Sequence, residues 1–473
     1  MSDKELLEQA DAYIEEHWEE IVEEIGKLVA VPSVVDFDNA TEEDPSGVDA
    51  HNGLRAALDL ASRLGFEAVD DKGEIGFADL KGKTDTLLAM ICHADVVTPG
   101  VGWTQDPYTM QRREGFLVGR GVLDDKGPLV IALYTMKFFK DKGWDLPYTL
   151  RMLIGTNEET GCMRDVAYYL KHHTAPAFTF TPDDKFPVCY GEKGGFDGLI
   201  TSKVFSAGNI VDFTTGDAAT NAVPSQATLV VKVTDELPAA DGIEMTVQDG
   251  VATLIATGKG GHAAMPEGTI NAIGMLVDYA LEHQLCTEEE NAFLKLTQQI
   301  IASTDGSSIG IDTCDGFFDP LTCIAGTIHM VDGALKLTID IRFPTSTNHD
   351  DLMAKLGALV AGAEASIENT LLMEPFLMKP DSPVITTLAS SYRDATGLDG
   401  EPFTIGGGTY AREFPCAASF GVEDDHDNYP DWVGPMHGAD EGVSEDTLKR
   451  AMRVYILTLK RLMEIDLTDL ACA

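Results

Sequence analysis

Short apolar runs alternate with helical patterns through about the first 185 residues, and this alternation restricts the fold more than any other feature of the sequence. "TLLAMIC" (86–92) is almost unbroken in apolar character, as expected of a strand covered on both faces. "GPLVIALYTMKFF" (127–139) then reads as a helix, with Pro128 in its first turn and Gly143 past its end, positions that suit each residue. "YTLRMLI" (148–154), "CMRDVAYYLKHH" (162–173) and "AFTFT" (177–181) continue as strand, helix and strand. The pattern predicts an α/β domain with a mostly parallel sheet flanked by helices.

From about Val188 the texture changes. "ATLVVKVTD" (227–235) alternates, and the stretches 244–258 and 323–343 carry Asp249-Gly250 and Asp332-Gly333, both hairpin signals. Helical patterns at 269–283 and 349–363 complete a smaller α+β module. Near Met378 the chain returns to the first domain and ends in a helix over 444–465. The reading is therefore one domain formed by 1–187 and 378–473, interrupted by an inserted domain over 188–377. A length of 473 residues is in keeping with more than one core.

Seventy-eight acidic residues against 34 Lys and Arg give a formal net charge of -44. Such a field repels phosphates, which argues against nucleic-acid and anionic-membrane partners. It fits a heavily solvated surface, or one that draws cations. No apolar run approaches the roughly 18 residues of a membrane span, and the acidic, amphipathic N-terminus is unlike a signal peptide. Eight scattered cysteines, Cys92, Cys162, Cys189, Cys286, Cys314, Cys323, Cys416 and Cys472, include no C-x-x-C and suggest a reducing cytoplasm.

Polar clusters stand at the ends of the apolar runs. "CHAD" supplies His93 and Asp95, "GRGVLDDKGP" Asp124 and Asp125, "NEETG" Glu158 and Glu159, and "TPDD" Asp183 and Asp184. Each has an ordinary reading alone: a helix cap for Asp-Asp, a solvated face for Glu-Glu, a structural role for a lone histidine. In an open parallel sheet, however, loops beyond the carboxyl ends of the strands converge on one crevice. Four such loops would repel one another unless a cation offset their charge. Histidine mixed with carboxylates suits Zn²⁺, with Mn²⁺ or Co²⁺ as substitutes, better than Ca²⁺. Asp95, two residues after His93, is placed to orient the imidazole through its carboxylate.

These motifs occur in order with "GDAATNAVP", "GKGGHAAMPEGTINAI", "DIRFP", "GGGTYAR" and "MHGADEG". Together they resemble the M20 metallopeptidase family, in particular its dipeptidase branch of the PepV type, from about residue 80 to 445. The resemblance implies a catalytic α/β domain interrupted by an inserted lid domain. It assigns His93, Asp124 and Asp183 to one zinc, with Asp124 bridging to a second held by Glu159 and His437. Asp183 is preferred to Asp184 because it directly follows the proline, and His437 enters only through the resemblance; alone it reads as a loop histidine. A cis peptide between Asp124 and Asp125 is also implied.

The function implied is a dinuclear zinc dipeptidase acting on dipeptides with a free N-terminus. Glu158 would be the general base toward the water held by the metals, His262 would stabilise the oxyanion, and Asp95 would support His93. Asn221 and Arg342 match substrate-contacting lid positions, and an arginine fork suits a carboxylate. Gly407, Gly408 and Thr409 would offer donors to the same end of the substrate, unless the glycines serve only a tight turn. The implied partner is a small peptide, and a monomer is preferred to a homodimer because the long insert lets one chain supply its own His262. An N-acyl-amino-acid deacylase of the same fold is the alternative reading, and a catalytically silent cation-binding module a remote one. "EDDHDNYPDW" (423–432) reads as a solvated loop or as a device favouring basic dipeptides.

Overall fold

The strand Leu87–His93 lies inside the first sheet of the computed structural model, which describes residues 1–234 and 236–470. The last residue of the 227–235 run, the end of the 378–473 segment and Cys472 lie outside the described residues. Two compact units emerge: residues 1–191, 377–403 and 408–473 form the first, and 192–376 with 404–407 the second.

In the first unit, Leu87–His93 runs parallel to Thr149–Gly155 and to Phe178–Thr181, and the latter runs parallel to Ala417–Ser419. Thr149–Gly155 and Phe178–Thr181 are buried throughout, as is Leu87–His93 beyond its first residue, which is why they read as unbroken apolar runs. The parallel pattern does not reach the flanks. Ile75–Leu80 pairs antiparallel with Thr149–Gly155 and with the outer strand Glu67–Asp71, and Cys189–Glu192 pairs antiparallel with Ala417–Ser419. The sheet is thus mixed. Glu67–Asp71 is largely exposed, a condition that an antiparallel edge tolerates and a parallel one seldom does.

Helix Lys126–Asp141 is buried along almost its whole length and packs with Asp3–Val29 and Glu445–Leu462. Its start is set by a close approach: a Cβ on Gly127 would collide with the Val122 carbonyl oxygen, so the residue after Lys126 must be glycine. This brings the Asp124–Asp125 turn, whose peptide is cis, to the end of the strand Leu87–His93.

The second unit holds an eight-stranded sheet in the order Ile243–Gln248, Val251–Thr257, Gln226–Lys232, Ile210–Thr214, Thr322–Val331, Ala334–Phe343, Gly194–Thr201 and Ser366–Met373. Every neighbouring pair is antiparallel. Both expected hairpins form, with positive φ at Asp249, Gly250, Asp332 and Gly333, the conformation that the Asp-Gly pairs favour. Helices Ala272–Glu282, Glu288–Ile301 and His349–Ala361 contribute Ile273, Leu276, Phe293, Leu294 and Leu352 to the core beneath the sheet. Among the described residues, no helix is long and apolar enough to cross a membrane. Cys416 is disulfide-bonded.

Candidate metal centre

Three strand ends and two loops of the first unit bring their polar residues to one place. His93 ends its strand; Glu158 and Glu159 follow Thr149–Gly155; Asp183 follows Phe178–Thr181; Asp124 precedes the helix Lys126–Asp141; and His437 comes from the loop before Gly442–Ser444. Asp124 lies between the histidines. Its Oδ1 is 2.9 Å from His93 Nε2 and its Oδ2 is 2.7 Å from His437 Nε2. Asp183 Oδ2 stands 3.7 Å from His93 Nε2, and Glu159 Oε2 stands 3.0 Å from His437 Nε2. Ligand atoms of His93, Asp124 and Glu159 fall within 4.8 Å of one another, and so do those of His93, Glu158 and Asp183.

The donor set fits divalent cations. His93 Nδ1 lies 2.9 Å from the Asp95 carbonyl oxygen; a carbonyl only accepts, so Nδ1 carries the proton and Nε2 presents its lone pair. His93 Nε2 and Asp124 Oδ1 are both buried without a hydrogen-bond partner despite their 2.9 Å separation. A ring nitrogen and a carboxylate oxygen this close, buried and otherwise unsatisfied, suit a cation held between them.

Electrostatics point the same way. Burial, and after it the charge of Asp124, raises Asp183 and pushes Glu159 up to about 7. Burial lowers His437, but its hydrogen bonds to Asp124 and Glu159 outweigh this and push it up to about 11. Glu158 is raised well above the ordinary carboxylate range by burial and then by Asp183. The crowded carboxylates retain protons to offset their repulsion, and cations at the same place would displace those protons.

Several expectations need correction. Asp95 supports His93 through its carbonyl; its carboxylate is 3.6 Å from Nδ1 and instead accepts from the N–H groups of Glu158 at 3.3 Å and Glu159 at 3.1 Å. Asp125 stands at the helix N-cap, but its side chain makes no capping bond and instead accepts the His93 backbone N–H at 3.1 Å. The loop 423–432 is not simply solvated, because Asp424 accepts from the Tyr392 hydroxyl at 2.8 Å and Asp427 pairs with Arg450 at 2.7 Å. Sequence reasoning passed over Arg120 and Glu441, both fully buried and ion-paired. The available signal was a charged residue inside each of two motifs already singled out, "GRGVLDD" and "MHGADEG".

Asn221, His262, Arg342 and Gly407 belong to the second unit, and Gly408 and Thr409 to the first. Asn221 and His262 are neighbours: the Asn221 carbonyl accepts from Ala263 N–H at 2.9 Å, and Ala222 pairs with His262 across a two-stranded ladder. His262 is exposed. Arg342 grips Asp340 through Nε at 2.7 Å and Nη2 at 2.6 Å. The Thr409 hydroxyl lies 2.9 Å from that of Ser419 and accepts the Ala411 N–H at 3.1 Å. In the first unit a cavity of about 510 Å³ is lined by Leu123, Asp184, Tyr429, Val433 and Met436 among others. Leu123, Asp184 and Met436 are the chain neighbours of Asp124, Asp183 and His437.

A mixed α/β sheet with histidines and carboxylates gathered at its strand ends presents a donor set suited to divalent cations. The chain belongs to peptidase family M20/M25/M40, whose description it matches over residues 89–461, and it is an enzyme acting on peptide bonds. It is 29% identical over 454 residues to the putative dipeptidase YtjP of Bacillus subtilis (strain 168), across 92% of this chain and 96% of that one. It is 30% identical over 462 residues to the Beta-Ala-Xaa dipeptidase of Lactobacillus delbrueckii subsp. lactis, across 92% and 94%. Human carnosine dipeptidase 1 shares its fold, with a TM-score of 0.61 at 15% identity over 97% of this chain and 99% of that one.

Proposed function

We propose that this chain is a dinuclear zinc dipeptidase that hydrolyses dipeptides with a free N-terminus. The observation that carries the reading is Asp124, whose two oxygens face two different histidines at 2.9 Å and 2.7 Å. One carboxylate shared in this way is the arrangement that two adjacent cations require. His93, Asp124 and Asp183 would hold one, and Asp124, Glu159 and His437 the other. Zinc suits this donor set, with manganese or cobalt as substitutes. Bound cations supply Lewis-acid polarisation of the scissile carbonyl and make a water acidic enough to attack at neutral pH.

The remaining work falls to the chain's own groups. Glu158 takes the proton of the attacking water and returns it to the leaving amine. Burial, and after it the charge of Asp183, raises its carboxyl above the ordinary range. Asp95 holds the backbone of Glu158 and Glu159, which fixes the base beside its neighbour. His262 stabilises the oxyanion, and Asn221, Arg342, Gly407, Gly408 and Thr409 receive the substrate and its carboxylate. The names of the relatives from Bacillus and Lactobacillus support dipeptides as the substrate class.

The test is hydrolysis of free dipeptides, their N-acetylated forms and tripeptides by metal-stripped protein with and without added Zn²⁺ or Mn²⁺. Metal-dependent cleavage confined to free dipeptides is expected. Cleavage of acetylated substrates alone would move the chain to the deacylases.

A further inference from the structure

Asp124 and His437 sit on separate loops, yet their side chains meet at 2.7 Å. Packing around the ring is only partial: the His437 side chain is 52% exposed, and its backbone has a positive φ of 62°. What fixes it is a reciprocal tie between the loops. Glu441, four residues after His437, turns Oε1 onto the turn before the helix and accepts the N–H groups of Gly121 at 3.0 Å, Leu123 at 3.1 Å and Asp124 at 3.3 Å. Arg120, four residues before Asp124, reaches the other way. Its Nη1 donates to Glu441 Oε2 at 2.5 Å and its Nη2 to the His437 carbonyl at 3.1 Å. Both residues are 0% exposed. The Gly119 N–H adds a backbone bond to the Glu441 carbonyl at 2.9 Å.

We infer that Arg120 and Glu441 are positioning residues that set the distance between Asp124 and His437 and thereby the affinity for the second cation, the one shared by Asp124, Glu159 and His437. The inference rests on the dinuclear reading above. A guanidinium is needed because its rigid fork serves Glu441 and the His437 carbonyl at once; an ammonium is a point charge that can satisfy the ion pair without spanning both. Partners that orient ligands in this way typically cost 10–100-fold in metal affinity when lost. The other cation would share Asp124 but would draw His93 and Asp183 from strand ends that Arg120 and Glu441 do not hold, so its affinity should fall much less.

The experiment is a titration of metal-stripped wild type, Arg120→Lys and Glu441→Gln with Zn²⁺, read by calorimetry and by metal content after dialysis, with thermal unfolding of each metal-free protein alongside. Wild type is expected to take up two ions. Both variants should keep the first and bind the second about 10–100-fold more weakly, with kcat falling and KM for a dipeptide little changed. Arg120→Lys should do so while melting within a few degrees of wild type, a split that a merely structural ion pair would not produce. If Glu441→Gln fails to fold, Arg120→Lys alone decides. Two ions bound by the folded variants with wild-type affinity would overturn the inference while leaving the dinuclear reading intact; uptake of no ions by wild type would instead sink that reading.

Discussion

Replacing Asp165 tests whether the loop carrying Glu158 and Glu159 is held by a buried carboxylate. Asp165 Oδ2 accepts from the N–H groups of Thr156 at 2.7 Å and Asn157 at 3.1 Å and from the Tyr410 hydroxyl, while Oδ1 accepts from Val166 N–H at 2.8 Å. Thr156 and Asn157 are 0% exposed and Tyr410 is 1% exposed. The Asn157 N–H keeps a second acceptor in the Tyr410 hydroxyl at 3.3 Å, so Asp165→Ala orphans three buried donors, the N–H groups of Thr156 and Val166 and the Tyr410 hydroxyl, a gross cost of about 3–9 kcal/mol at about 1–3 kcal/mol each. One term offsets it. Burial outweighs these hydrogen bonds and pushes the Asp165 carboxyl from an ordinary 3.8 up to about 6, so at neutral pH its ionised form is disfavoured by a net of about 3 kcal/mol that alanine does not carry. A net loss of about 3 kcal/mol remains after that offset. Tyr410→Phe removes only one donor and leaves the carboxylate its three N–H groups, so it should cost about 1 kcal/mol. Urea unfolding of both variants at pH 7 and fixed ionic strength gives the comparison. An Asp165→Ala protein as stable as Tyr410→Phe would refute the reasoning, because it would mean that the orphaned donors are satisfied at no cost.

Glu158→Gln should retain its metal content and lose about 10²–10⁴-fold in turnover, measured by dipeptide hydrolysis beside metal analysis; near-normal turnover would remove Glu158 from the role of base. In the second unit Asp197 is pushed up to about 6 by burial and then by Asp340. Its folded pKa lies above the unfolded value, so its contribution to stability is present at low pH and lost as pH rises through about 6. Asp197→Asn should therefore gain stability relative to wild type between pH 5 and pH 8, and denaturation midpoints that stay parallel across that range would contradict this. A net charge of -44 predicts that added KCl raises the melting temperature by screening self-repulsion; a melting temperature that falls with salt would mean that ion pairs outweigh repulsion.

The strand ends were legible because their residues are buried on both faces, which leaves a one-dimensional mark: Leu87–His93 and Thr149–Gly155 read as apolar runs, and the polar residues that follow stand out against them. The antiparallel outer strand Glu67–Asp71 left no such mark, since it is mostly exposed. His437 could not be found from spacing, because its partner Asp124 is remote in sequence and only the fold brings them to 2.7 Å. Asp95 shows a subtler loss. Its proximity to His93 is visible in the sequence, but whether the carbonyl or the carboxylate meets the ring depends on a backbone direction that residue type does not encode. Arg342 stands out in its motif, but its pairing with Asp340, two residues away on the same strand, through Nε and Nη2 is visible only in the fold. Asp424 and Asp427 illustrate the general difficulty of acidic runs: composition suggests solvent, and only tertiary contacts with Tyr392 and Arg450 reveal that they are internal.

The most direct test of the account is a crystal structure of the zinc-loaded protein with anomalous data collected on both sides of the zinc edge. Two anomalous peaks flanking the Asp124 carboxylate are expected, one beside His93 and Asp183 and one beside Glu159 and His437. A single peak, or zinc bound away from Asp124 at saturating metal, would contradict the bridged centre on which the proposed activity depends.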